Sequence, residues 1–288
     1  QKGACFEAIE WYRNYRNKFT THAACATEAP IDEEDAFRNS GRLVFNPYSI
    51  DDMQAMYKQD PKFTADIVVN ISVKDDNTIP NSKVKLRDDG DGDLKIWAVP
   101  NCLQVENRYL VSVDIGGKST TSDYTVMTVI DRFGMIPTVK GKPKVVARYR
   151  GHVRHDKLAW MAAALAHYYD DALLVIESNT ADREKNNNTE GDHFLTILQE
   201  IADYYDNLYQ RTSSSENVED NVLAKYGFQT NKLTKQQVID NLEEFIDDNL
   251  YEEPDKEMYH ELRIYERHDD GSLGNIVGNG NHDDVVMS

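Results

Sequence analysis

Residues 109–131, YLVSVDIGGKSTTSDYTVMTVID, restrict the fold more than any other stretch of the chain. Tyr109 to Val113 alternates and is rich in β-branched residues, so it reads as a strand. It ends on Asp114, and Ile115-Gly116-Gly117 and a run of small polar residues follow. A second apolar run, Tyr124 to Ile130, begins after a gap too short for a helix, which makes the pair a β-hairpin. Its first strand carries a carboxylate among apolar neighbours, where an unpaired charge is expensive to bury. Two readings follow. Asp114 is either a partly exposed side chain satisfied by the glycine amides after it, or a metal ligand.

Two phosphate-binding motifs overlap this stretch. Gly117-Lys118-Ser119 matches the tail of a P-loop, but the motif needs a glycine where Ser112 stands, inside the strand. That match fails. Asp114-Ile115-Gly116-Gly117 resembles the first phosphate motif of the actin-like and sugar-kinase ATPases. The second Asp-Gly-Gly-type loop of that family has no counterpart further on, and the family stays open as an alternative.

A chain of 288 residues has room for one large domain or two modest ones. No apolar run approaches the ~18 residues of a membrane span. The first residue is Gln1, with no signal peptide behind it, so the chain reads as a piece of a longer one. Cys5, Cys25 and Cys102 show no metal-binding spacing and no even-numbered framework, which fits a reducing cytoplasm. The net charge of −18 opposes nonspecific nucleic-acid binding through the bulk field. The charge is uneven, however. Eight Lys and Arg fall between Arg132 and Lys157, among them Lys142, Lys144 and Arg148, against the single acid Asp156. That segment either tracks a phosphate backbone or is a solvated hairpin.

Taken in order, residues 1–60 read as a lead-in. A helix spans Ala4 to Asn17, and a loop through Pro30 enters a short helix capped by Asp32 and ended by Gly41. Ile67 to Val73 and Lys83 to Leu86 are strand-like. The run Asp88 to Asp93 imitates a calcium loop, but its glycines fall out of register, and a hairpin turn is expected instead. Asp156 can cap an alanine-rich helix reaching Tyr169. The continuous apolar run Ala172 to Ile176 is a buried strand that delivers Glu177 at its end. Helices follow at Gly191 to Tyr205, Lys232 to Asn249 and Glu257 to Arg263, with a hairpin around Asp270-Gly271. Glycine and asparagine from Gly278 to Asn281 make a turn, and Asp283-Asp284 open a last helix, where one Asp would be explained by capping alone.

Asp114 on a first hairpin strand, Glu177 ending a later strand and Asp283-Asp284 opening a late helix are ordinary singly. Together, their order and settings match an α/β fold of the ribonuclease H-like kind. That is a mixed sheet flanked by helices, here with the N-terminal lead-in and extra β-hairpins. Almost end to end, the chain also resembles the nuclease domain of the large subunit of tailed-phage terminases. The likeness is carried by Glu28-Ala29-Pro30 through Phe37, Gly92 to Trp97 with Pro100, and Tyr109 to Ile130 with Asp123. Ile176-Glu177, Tyr226-Gly227-Phe228 and Asn281 to Met287 complete it. The resemblance implies a linker over 1–60 from an ATPase motor that precedes Gln1, and a nuclease domain over 61–288 with its core from about residue 105. It implies an endonuclease that cuts concatemeric double-stranded DNA during packaging. Its partners would be the portal protein and the small terminase subunit, in the cytoplasm of a bacterial host, with no membrane. A non-catalytic packaging module is the remaining alternative.

The chemistry of such a site follows from charge. Attacking and leaving oxygens are both anionic in phosphodiester hydrolysis, and two Mg²⁺ or Mn²⁺ ions about 3.5–4 Å apart stabilise both. Holding them takes several carboxylates that would otherwise repel one another. Asp114 is expected to bridge both ions, with Glu177 and Asp284 each favouring one. Asp283 is then a ligand or an orienting neighbour. His282, Asp123 and Lys118 are expected around the ligands, and Lys142, Lys144 and Arg148 on the DNA backbone.

Overall fold

The computed structural model describes residues 5–19, 22–31, 42–70, 82–87, 90–101, 105–116, 123–178, 197–198, 200–202, 204–211, 226–276 and 282–288. Several expected features lie outside these residues: the helix between Asp32 and Gly41, the end of the strand at Val73, Cys102, Lys118 and the turn 278–281. No helix among the described residues is long and apolar enough to cross a membrane.

Seven strands form one mixed sheet: β1 Phe63–Val68, β2 Lys83–Arg87, β3 Leu94–Ile96, β4 Tyr109–Asp114, β5 Thr125–Asp131, β6 Lys144–Gly151 and β7 Leu173–Ile176. Their order is β2-β1-β3-β6-β5-β4-β7. β4, β5 and β6 form an antiparallel meander, and β7 then pairs parallel to β4 after the helix His155–Tyr168. Three antiparallel strands, a helix and a fourth strand parallel to the first make the ribonuclease H-like arrangement that the residue pattern predicts. β5 is buried at almost every position, as befits a strand covered on both faces.

The expected β4–β5 hairpin is present with Tyr109 opposite Asp131 and Asp114 opposite Val126. The hairpin turn expected at 88–93 is not. β2 and β3 do not neighbour each other; both pair with β1, one on each edge. The chain crosses β1 instead, and Gly92 lies so close to Ala65 that a Cβ there would overlap backbone. Glycine is required by the crossing, not by a turn.

Numbered in chain order, the helices are α1 Phe6–Arg16, α2 His22–Glu28, α3 Pro47–Tyr57, α4 His155–Tyr168, α5 Lys232–Asp247, α6 Lys256–Arg263 and α7 Asp284–Met287. α4 covers one face of the sheet, packing Leu158, Ala162 and Leu165 in a core with Val111, Val113, Met127 and Val129. Arg154, not Asp156, is its N-cap, and Asp156 in the first turn pairs with Arg154. The opposite face carries a second core from α3, α5, α6, α7 and the hairpin β8 Tyr265–Arg267 with β9 Leu273–Asn275. Phe45, Ile50 and Met53 belong to it, so residues 43–57 of the expected lead-in are packed with the body of the protein. α3 starts with Asn46 accepting from the Tyr48 amide and Pro47 in the first turn, as helix N-termini favour.

Candidate metal centre

Parity along the strands decides which side chains reach the site. Val111 and Val113 face the α4 core, so Leu110, Ser112 and Asp114 face the other side. Asp114 is the last residue of β4. Val113 pairs with Ile176 of β7, and the Glu177 amide donates to the Val113 carbonyl at 3.1 Å, so Glu177 arrives beside Asp114. The chain beyond Glu177 is held by Phe228, whose amide donates to the Ile176 carbonyl at 2.8 Å. Thus 226–228, which resembled a terminase motif, borders the second carboxylate.

Burial, the adjoining Glu177 carboxyl, and the charges of Asp284 and Asp283 push the Asp114 carboxyl well above the ordinary carboxylate range, as expected where one carboxyl must hold a proton beside another. Four carboxylates from three distant parts of the chain therefore act on one point.

Asp284, the first residue of α7, is buried, and its Oδ2 accepts from the Tyr124 amide at 2.9 Å, just before β5. Burial raises its carboxyl pKa and Asp123 adds to the rise; the Tyr124 amide, His282 and Arg150 oppose it. His282 Nδ1 lies 3.5 Å from Asp123 Oδ1 and 3.8 Å from Asp284 Oδ2. Ligand atoms of Asp123, His282 and Asp284 all fall within 4.8 Å of one another, a spacing that suits one cation. Asp123 is brought in because Gly116 packs against the backbone of Asp123 and Tyr124, where a Cβ would overlap it. Asp283 points elsewhere. Its Oδ2 is 3.5 Å from Lys235 Nζ of α5, and its side chain makes no cap hydrogen bond.

The cap of α7 comes from α6 instead. Glu261 Oε2 accepts from the amides of Val285 (2.8 Å) and Val286 (3.1 Å). Burial pushes Glu261 up to about 8, opposed by those two amides and reinforced by Asp284. Nothing in the helical spacing of 256–263 distinguishes Glu261 from a solvent-facing residue, so sequence reasoning missed it.

The expected DNA-facing cations are distributed differently. Arg148 is only 3% exposed, and its guanidinium bonds Glu253 with both arms, Asp255 and Thr128. It pins the entry to α6 and faces no phosphate. Its side chain lies on the same sheet face as Asp114, one rung further in, which is why it is interior. Lys142 donates to the Tyr57 hydroxyl at 3.0 Å. Lys144 pairs with Asp131 and hence lies on the rung of Tyr109. Five residues of β4 separate that rung from Asp114, about 17 Å at ~3.3 Å per residue. The cation on the Asp114 rung is Arg150, opposite Val126, with its guanidinium 3.8 Å from the Tyr124 ring centroid. His152 stacks on the same ring at 4.3 Å.

The donor set is carboxylate oxygen with one imidazole, under-neutralised by the cations near it. Hard divalent ions such as Mg²⁺ and Mn²⁺ suit such a set, and binding them would relieve the repulsion among the carboxylates around Asp114. The residues fit the group.

No protein-family model and no curated protein matches the chain. Among solved structures it is similar to the large terminase nuclease of thermophilic phage G20c with bound magnesium: 17% identity, 86% of this chain, 94% of that one, TM-score 0.49. It is similar to the large terminase nuclease domain of Thermus phage P74-26 (21%, 68% and 82%, 0.43). It is also similar to the manganese-soaked, inhibitor-bound terminase nuclease domain of human cytomegalovirus (8%, 52% and 65%, 0.32).

Proposed function

We propose that this chain is a metal-dependent endonuclease that hydrolyses phosphodiesters of double-stranded DNA, in the role of a phage terminase nuclease domain. The carrying observation is the convergence of Asp114, Glu177 and Asp284 from β4, the end of β7 and the start of α7 at one edge of the sheet. The packaging context, with concatemeric DNA, a portal protein and a small subunit in a bacterial cytoplasm, rests on the residue-level resemblance alone. The phosphotransferase alternative has less support, because the described groups that act on Asp114 are carboxylates rather than phosphate-binding donors.

In the reaction water forms a bond to phosphorus, one ester P–O bond breaks, the water gives up a proton and the departing oxygen gains one. Two divalent ions, when bound, stabilise the charge on both oxygens. Asp114, on which Glu177 and Asp284 both act, would be the residue to hold both. Glu177 would hold one and Asp284 the other, with His282 and Asp123 beside Asp284. The Tyr124 amide fixes the orientation of Asp284, and Lys235 draws Asp283 aside, which supports unequal roles for the two adjacent aspartates.

Plasmid nicking with Mg²⁺ or Mn²⁺, alongside calorimetric Mn²⁺ titration, tests this. Asp114→Asn and Asp284→Ala are expected to lose cleavage by about 10²–10³-fold and to weaken metal binding, and Asp283→Ala to lose less. An Asp114→Asn protein that nicks at the parent rate contradicts the assignment.

A further inference from the structure

We propose that Arg150 is the phosphate-binding cation of the site, its guanidinium contacting the non-bridging oxygens of the scissile phosphate. The inference rests on the nuclease reading and adds a residue to it. Three observations point to Arg150 from different directions.

The first is position. Arg150 is opposite Val126, which is opposite Asp114, so the three share one rung and one face of the sheet. The second is how it is held. Its guanidinium stacks on Tyr124, the residue whose amide anchors Asp284, so one residue fixes both the cation and a ligand carboxylate. The third is what it lacks. The two buried arginines of this sheet or its edge have acidic partners, Arg148 in Glu253 and Asp255 and Arg108 in Asp131, whereas Arg150 is half-buried. Arg150 forms no ion pair among the described residues, although its charge lowers the proton affinity of both Asp284 and Glu261. Its Nε is buried and has no hydrogen-bond partner among them either.

A buried, unsatisfied donor is costly to maintain. A purely structural arginine beside several carboxylates would swing to the nearest one and form the bidentate pair its planar fork favours. Stacking on Tyr124 prevents that here and leaves the fork free for an anion. A phosphate diester offers two non-bridging oxygens that suit it, and the oxygens gain charge as the phosphorus is attacked. Lys142 and Lys144, at the other end of the strands, cannot serve this purpose.

Arg150→Ala and Arg150→Lys, compared with Asp114→Asn on a short duplex under single-turnover conditions with Mn²⁺, test the proposal. The expected result is an active parent, with Arg150→Ala slower by about 10²-fold. Its Mn²⁺ affinity by calorimetry should be unchanged or tighter, because a positive charge beside the ligands is gone. Arg150→Lys keeps charge but neither the flat face nor the fork, and should fall between the two. Both Arg150 variants cleaving at the parent rate while Asp114→Asn is inactive would overturn the role of Arg150 and leave the nuclease reading standing. So would a loss of Mn²⁺ affinity as large as the loss of rate. If Arg150→Ala does not fold, Arg150→Lys decides, and parent-rate cleavage by it sinks the proposal. A parent that binds Mn²⁺ but never cleaves, with Asp114→Asn indistinguishable from it, would overturn the nuclease reading and this inference with it.

Discussion

Arg148 and Arg150 are two residues apart on one strand, face the same side of the sheet and do opposite things. Arg148 is an interior ion-pair centre holding Glu253 and Asp255, whose positions fix the start of α6. Removing one partner of such a network leaves the others buried without compensation, which costs about 3–5 kcal/mol. Arg148→Ala is therefore expected to lower the thermal midpoint sharply or abolish soluble folding, measured by scanning calorimetry in the absence of DNA. Wild-type stability in that variant would mean the network is not structural. The sequence displayed a run of basic residues but not their depth. Strand parity puts residues 148 and 150 on one face, and only the packing of residues 253–255 over the first distinguishes them. Asp114 and Glu177 stood out in the sequence because each ends an apolar strand, where a carboxylate needs a reason, and Asp284 because it opens a last helix beside a second aspartate. Glu261 and Arg150 sit among other polar residues, and nothing local marked them.

α7 is a four-residue helix that could not hold its shape alone. Its position over β5 depends on Glu261, which spans from α6 to supply the cap that one of Asp283 and Asp284 could have provided. Both amides donate to the same oxygen, Oε2, so Oε1 is free to carry a proton. With the folded-state pKa raised from 4.5 to about 8, the native protein binds this proton more tightly than the unfolded chain. The stability it contributes is fully present below pH 4.5 and is lost as pH rises through about 8. Glu261→Gln keeps an oxygen for both amides and removes the titration. It is expected to fold normally and to show a flatter decline of stability between pH 4.5 and 8, read from denaturant midpoints. Glu261→Ala loses the cap, and should weaken metal binding through Asp284. Equal pH slopes in the parent and Glu261→Gln would show that this carboxyl does not titrate as described. Elements with strong periodicity, such as α5 and the β4–β5 hairpin, lay close to their expected bounds. The link between β2 and β3 did not, because a glycine at a turn and a glycine at a strand crossing look the same in a sequence.

Across the whole molecule, two apolar cores clamp one sheet from both faces, and the acidic cluster lies where the parallel pair β4–β7 ends. The cores resist the repulsion that the cluster stores, and a site of this kind is stabilised when cations enter it. With a net charge of −18, the proposed DNA substrate would need a local positive feature, and among the described residues Arg150 stands beside the cluster without an acidic partner. Everything turns on whether divalent ions bind between Asp114, Glu177 and Asp284. Anomalous diffraction from crystals soaked in Mn²⁺ measures that directly. Two peaks about 3.5–4 Å apart, bounded by those three carboxylates with Asp114 touching both, are the predicted result. Saturating Mn²⁺ that leaves this place empty, or that binds only at other surface carboxylates, would contradict it.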